Sequence, residues 1–190
     1  MSRFSFVALL AFACLVPSAA SAQRASGDAR LGFFGGFALH AGEIACEGDV
    51  CDGLWKAGGL SGNLGWGFSP KLKGVFDVWY MGHTEDDVTL HHTIATFNAR
   101  YHVVPAFWIQ GGLGVASAGW RYDGVINLED RTENVAAIAF GAGLELVRRR
   151  SFALDLNLRV GVGLYDDNDN SIDDGQTGRS SALGLGFTWF

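Results

Sequence analysis

The chain has 190 residues and a formal net charge of −6, with 27 glycines against 3 prolines. This length corresponds to one domain, and no low-complexity linker indicates a second one. After residue 22, no stretch reaches the ~18 uninterrupted apolar residues of a membrane-spanning helix, so we expect no such helix. We also expect no nucleic-acid partner for this acidic chain.

The first residues have the pattern of a secretory signal peptide. Arg3 precedes an apolar run over 6–16, and the small residues Ala20-Ser21-Ala22 form an A-x-A cleavage site. We therefore predict a signal peptide over 1–22, a short polar tail over 23–29 and an exported domain over 30–190.

From residue 31 onward, apolar and polar side chains alternate with a period of two, which indicates β-strands with one apolar face. The clearest case is 152–164, FALDLNLRVGVGL, in which every second residue is large and apolar. The predicted strands cover residues 31–41, 55–68, 72–81, 91–103, 107–120, 133–147, 152–164 and 179–190. The chain is therefore predicted to contain eight strands.

The connections between these strands alternate between long and short. Three are short turns, at 69–71, 104–106 and 148–151. Four are long and polar, at 44–53, 82–90, 123–132 and 166–178. An even strand number with short turns at one end is typical of bacterial outer-membrane barrels. We predict an all-β fold: an eight-stranded antiparallel transmembrane β-barrel with short periplasmic turns and four long extracellular loops.

Two cysteines, Cys46 and Cys51, remain after removal of the signal peptide, and they lie five positions apart in the first polar loop. In an exported chain this spacing predicts a small disulfide, with two free thiols as the alternative.

Alternation places six charged side chains on the inner face, three of each sign. They are Lys73, Asp77, Arg100, Glu145, Asp155 and Arg159. Opposite charges in a narrow lumen should pair, because an uncompensated buried charge costs several kcal/mol. An eight-stranded barrel is just wide enough to be filled by its own side chains. We therefore predict a salt-bridged polar interior that is plugged, with no catalytic residues in it.

Sixteen of the twenty acidic residues lie in or beside the four long loops, whereas Lys71 and the three arginines of 148–150 mark the opposite end. Solvation is the simplest interpretation of this acidity, and binding of divalent cations is the alternative. A metal site can also be drawn from His83, His91 and His92 beside acidic residues. Their spacing matches no metal motif, so we predict neither a metal nor a cofactor.

Residues 30–190 resemble the small outer-membrane β-barrel proteins grouped with the transmembrane domain of OmpA and with OmpX. The resemblance rests on the signal peptide, the eight alternating strands, the segment 105–114 (PAFWIQGGLG) and the final Phe190. It implies a monomer in the Gram-negative outer membrane, in contact with outer-membrane lipid and lipopolysaccharide. It also implies insertion by the barrel-assembly machinery, with Phe187, Trp189 and Phe190 as the C-terminal assembly signal. The chain departs from the family pattern at Thr188, where an aromatic residue is usual.

The expected function is that of a non-enzymatic barrel with an envelope-structural or surface-interaction role, since one scaffold hosts many roles. One alternative is a lipid A-modifying enzyme such as a deacylase, which needs a serine nucleophile beside a histidine base. Its nearest approach in this sequence is His91, His92 and Thr93. The other alternative is a soluble lipocalin-like binder, which would be apolar inside and polar outside.

Overall fold

A computed structural model describes residues 30–46, 53–85, 88–123, 127–131, 134–164 and 177–190. The predicted signal peptide (1–22), the polar tail (23–29) and Cys51 of the predicted disulfide lie outside these residues. The strands are β1 (Gly32–Cys46), β2 (Gly53–Gly67), β3 (Leu72–Glu85), β4 (Val88–Val104), β5 (Phe107–Asp123), β6 (Asn127–Arg131), β7 (Val135–Arg148), β8 (Phe152–Leu164) and β9 (Thr177–Trp189). The described part of the chain contains no helix long and apolar enough to cross a bilayer.

Eight of the strands form a closed antiparallel barrel. Each of these strands pairs with its neighbours in the chain, β5 pairs with both β4 and β7, and β9 returns to pair with β1. The seam between β1 and β9 runs from Gly35 opposite Trp189 to Ala45 opposite Arg179. Closure leaves none of these eight strands as a sheet edge, which matters because hydrocarbon offers no hydrogen-bond partner to an open edge. The predicted eight-stranded antiparallel barrel is confirmed.

Strand pairing extends further than the sequence pattern predicts at the end of the barrel with the predicted long connections, which we call the loop end. Strands β3 and β4 continue until Glu85 pairs with Val88, so most of the predicted long loop at 82–90 is strand. Strand β6 was not predicted, and it pairs with the end of β5 from Gly119 opposite Arg131 to Asp123 opposite Asn127. These extensions lack the alternation of apolar and polar residues. The backbone hydrogen bonds of β3 and β4 therefore continue beyond the alternating segments, and Leu90 in this extension packs against buried apolar side chains.

The three predicted short turns are present at the other end, which we call the turn end. The first is fixed by Ser69, whose Oγ accepts a hydrogen bond from the Leu72 amide at 3.0 Å. The second follows a register shift between His102 and Val104. In the third, the Arg149 amide donates to the Phe152 carbonyl at 2.8 Å.

The outward face of the barrel is apolar, with exposed fractions of 73% for Phe97, 67% for Leu113 and 66% for Leu39. The inward face divides into two parts. Toward the turn end it carries the charged residues, whereas toward the loop end it contains a buried apolar cluster. The cluster comprises Ile44, Ala57, Trp79, Met81, Ile94, Ala116, Ala137 and Ala182. The interior is therefore not polar throughout: Trp79 and Met81 share the strand face of Lys73 and Asp77, and the loop half combines apolar side chains with buried polar ones.

Candidate functional site

All six charged residues singled out from the sequence lie inside the barrel. They are Lys73 and Asp77 on β3, Arg100 on β4, Glu145 on β7, and Asp155 and Arg159 on β8. None of them is more than 6% exposed. Their inward position follows from the pleat, since residues an even number apart along a strand share one face.

Five consecutive hydrogen bonds join four of these charged residues through two amide side chains. The guanidinium of Arg100 donates from Nε to Gln110 Oε1 at 2.9 Å, and Gln110 Nε2 donates to Asp77 Oδ2 at 3.5 Å. Asp77 also forms an ion pair with Arg159. Asp77 and Arg159 are thus paired directly, whereas Arg100 reaches the carboxylate of Asp77 only through Gln110.

The same path continues along β8 toward the turn end. Arg159 Nε donates to Asn157 Oδ1 at 3.3 Å, and Asn157 Nδ2 donates to Asp155 Oδ1 at 2.8 Å. Gln110 and Asn157 therefore connect charges that do not touch directly. Strand alternation accounts for the inward position of both amides, but it does not reveal this connecting role.

Glu145 is the centre of a second cluster, closer to the turn end. Its carboxylate contacts Arg30 Nη1 at 3.0 Å, His102 Nε2 at 3.4 Å and Arg148 Nε at 3.5 Å. Arg30 was not among the predicted site residues, because it precedes the first strand and carries no alternation signal. We call these four residues the Glu145 cluster.

The predicted assembly residues are divided between the two faces of the barrel. Trp189 is outward and 42% exposed, whereas the neighbouring Thr188 is inward and buried. The ring of Phe190 lies within 4.2 Å of the Arg30 guanidinium and 4.6 Å of Lys73 Nζ. Phe190 is therefore positioned over the turn end of the interior, packed between two cations. Its ring does not join the lipid-facing aromatics.

Two histidine–serine pairs lie in the loop half of the interior. His40 Nε2 is 2.9 Å from Ser61 Oγ, and His92 Nδ1 is 2.6 Å from Ser180 Oγ. The partners are 21 and 88 residues apart, so no local sequence motif could reveal them. Ser61 and Ser180 are at most 1% exposed, and both hydroxyls are shielded from the surface.

The rim histidines do not come together as a ligand set. His91 stacks on the outward-facing Tyr80 with ring centroids 6.1 Å apart, while His92 is buried inside. His83 Nδ1 lies 2.6 Å from the Lys56 carbonyl, and its Nε2 lies 3.5 Å from Glu85. Within the described ranges, no group of three or more His, Cys, Asp or Glu side chains could hold a metal ion.

The interior has little free space. A cavity of about 10 Å³ lies where the charged network meets the apolar cluster, between Asp77, Trp79, Gln110 and Arg159. This volume is about that of a single water molecule. This cavity is too small for an organic substrate.

No protein-family model matches this chain, and no curated protein matches it either. Its structure is similar to Neisserial surface protein A, with a TM-score of 0.60 at 12% identity over 83% of this chain and 96% of that one. It is also similar to Ail, the attachment invasion locus protein of Yersinia pestis, with a TM-score of 0.55 at 14% identity over 84% and 99%. Ail bound to the heparin analogue sucrose octasulfate gives the same TM-score at 12% identity. At these identities the likeness establishes the fold alone, which is that of the small outer-membrane barrels.

Proposed function

We propose that this chain is a non-enzymatic, monomeric integral protein of the Gram-negative outer membrane. It would be exported through its signal peptide and inserted by the barrel-assembly machinery, and it would expose its acidic loops at the cell surface. One observation carries the proposal: a closed sheet that is apolar on the outside and carries its buried charges on the inside.

The distribution of side chains supports a lipid environment for the outer face. Leu39, Phe97 and Leu113 are each about two-thirds exposed or more. In water such a continuous apolar surface would aggregate, whereas in hydrocarbon it is the favoured exterior. A soluble lipocalin-like barrel has the opposite arrangement, with its apolar residues inside.

The tight interior supports a role at the surface rather than in transport. From the turn end to the loop end, the Glu145 cluster, the charged network and the apolar cluster occupy successive levels of the lumen. At the loop end, sixteen of the twenty acidic residues lie in or beside the predicted loops. Acidic loops favour contact with cationic groups or with divalent cations. They would repel a polyanion such as the sulfated ligand of Ail.

The histidine–serine pairs are the observation that best favours the deacylase alternative. Such an enzyme must bring the hydroxyl to an acyl ester of a lipid lying outside the barrel. Ser61 and Ser180 instead point into a packed interior, where no acyl chain fits. We therefore propose a structural role for both pairs, in which each serine provides a hydrogen-bond partner for a buried imidazole.

The proposal is tested on the outer-membrane fraction of an expressing Gram-negative strain. We expect the protein there to migrate faster on a gel when unheated and to shift on boiling, as a closed barrel does. A protein found soluble in the periplasm, with no shift, would overturn the membrane assignment.

The enzymatic alternative has its own measurement. We expect the lipid A mass spectrum to be identical in strains expressing the wild type and the Ser61→Ala/Ser180→Ala variant. Loss of an acyl chain in the wild-type strain alone would show that the barrel is a deacylase.

A further inference from the structure

The turn end of the barrel is strongly basic. Six basic side chains lie there in the described part of the chain, against two buried acidic side chains, Glu145 and its cross-strand neighbour Asp155, and the terminal carboxylate of Phe190. The basic residues are Arg30, Lys71, Lys73, Arg148, Arg149 and Arg150. Lys73 is buried, and Arg30 and Arg148 contact Glu145, whereas Lys71, Arg149 and Arg150 are exposed. The unburied charge at this end is therefore positive.

The turn that carries three of these arginines is held in one shape. Arg30 Nη2 donates to the Arg149 carbonyl at 2.5 Å and to the Phe152 carbonyl at 3.4 Å. The Arg148 guanidinium is directed toward Glu145, and the Phe190 amide donates to the Ser151 carbonyl at 3.0 Å. These contacts hold the turn backbone and the Arg148 side chain, and they leave Arg149 and Arg150 exposed at the surface.

Exposed aromatic side chains surround this end on the lipid-facing surface. Trp66 is 53% exposed, Phe68 66%, Tyr101 43% and Trp189 42%. Tryptophan and tyrosine concentrate at the headgroup level of a membrane. Because the turns are short, the basic side chains lie close to that level, and long cationic side chains reach the phosphates readily.

We propose that the turn end binds anionic phospholipid headgroups of the adjoining leaflet through Lys71, Arg149 and Arg150. This inference rests on the proposed function, since it requires an inserted barrel. The partner is a lipid surface rather than an acidic protein, because the charges sit at the level of the aromatic side chains and on short turns that project little. The acidic loop end has no equivalent attraction for such lipids, so the preference belongs to one leaflet.

Tryptophan quenching by brominated phospholipids tests the proposal in the full chain folded into phosphatidylcholine vesicles. Of the six tryptophans, Trp66, Trp120 and Trp189 are the exposed ones, and Trp120 lies toward the loop end. A Trp120→Phe background therefore leaves Trp66 and Trp189 as reporters of lipid at the turn end. Two sets of vesicles are compared, one containing a minor fraction of brominated phosphatidylglycerol and the other the same fraction of brominated phosphatidylcholine.

We expect phosphatidylglycerol to be enriched at these reporters by about fivefold or more, the effect of one basic side chain at an anionic surface. In the Lys71→Gln/Arg149→Gln/Arg150→Gln variant, both brominated lipids should quench the tryptophan fluorescence equally. The matched control is Lys56→Gln/Arg121→Gln/Arg179→Gln, which removes three exposed cations from the loop end. This control should retain the wild-type preference.

The gel shift on boiling shows that each variant is a folded barrel before it is scored. Equal quenching by the two lipids in an inserted wild-type barrel would overturn the inference while leaving the proposed function intact. An equal loss in both variants would overturn it too, since net charge alone would then explain the preference. If inorganic phosphate abolishes the difference and sodium chloride at the same ionic strength does not, the turn is a small-anion site and the lipid-surface proposal is wrong.

Discussion

Single residues in the interior are stabilised by partners from distant strands. Asp77 on β3 pairs with Arg159 on β8, and Gln110 on β5 donates to the same carboxylate. Each of these side chains is at most 7% exposed. A buried charge that loses its partner is strongly destabilising, whereas a pair that is removed together often has little effect.

A double-mutant cycle on this pair gives the first prediction. We expect Asp77→Asn and Arg159→Gln each to lower the free energy of unfolding by about 3–5 kcal/mol, because each leaves one buried charge uncompensated. The double variant should be less destabilised than the sum of the two. Urea unfolding in vesicles, followed by tryptophan fluorescence, measures all three. Strict additivity would show that the two side chains do not interact.

At the scale of strands and turns, lipid contact decides what the sequence can predict. Strand β8 was predicted with the bounds it has, Phe152–Leu164, because its outward residues alternate along its whole length. Strand β6 and the outer ends of β3 and β4 carry no such alternation, so backbone pairing alone defines them. The apolar cluster was missed because period-two alternation assigns a face but does not distinguish Trp79 from Asp77 on it.

The candidate site, like the strands, could be predicted only in part from the sequence. The pleat gave the inward position of all six charged residues, but not their partners. Arg30, Gln110 and Asn157 act as connectors, and their role depends on which strands lie opposite across the lumen. Lys73 illustrates the difference: the sequence favours pairing with a carboxylate, while the structure places its amine 5.1 Å from the ring centre of Phe34 and 4.6 Å from that of Phe190.

The third turn provides the second prediction, which concerns proteolysis. Arg30 binds the carbonyls of Arg149 and Phe152, so Arg30→Gln should release a turn that contains three trypsin sites. We expect cleavage after Arg148, Arg149 or Arg150 to become several-fold faster in the folded, detergent-solubilised protein, since local opening controls access. Fragment masses identify the site.

Arg121→Gln at the loop end is the control for this experiment. It should leave the cleavage rate at the turn unchanged. An Arg30→Gln protein that resists trypsin as well as the wild type does would show that other contacts hold the turn.

At the scale of the whole molecule, three layers of side chains fill the lumen. The Glu145 cluster, the hydrogen-bonded network around Asp77 and the apolar cluster follow one another along the axis, and the cavity between the last two has about the volume of one water. The third prediction is that the purified barrel produces no discrete conductance steps in planar lipid bilayers. Regular steps that persist in independent preparations would contradict the sealed interior.

The seam between β1 and β9 has a consequence for the time course of folding. At the turn end of this seam, Gly35 pairs with Trp189. Strands from opposite ends of the barrel sequence must therefore meet before the seam can form. Contacts so distant along the chain form slowly. Until these contacts form, β1 and β9 each have an unpaired edge, whose backbone groups can pair with another extended chain. The interval before closure is thus the period in which this protein is most exposed to aggregation, and the stage at which a holding chaperone would be of greatest use to it.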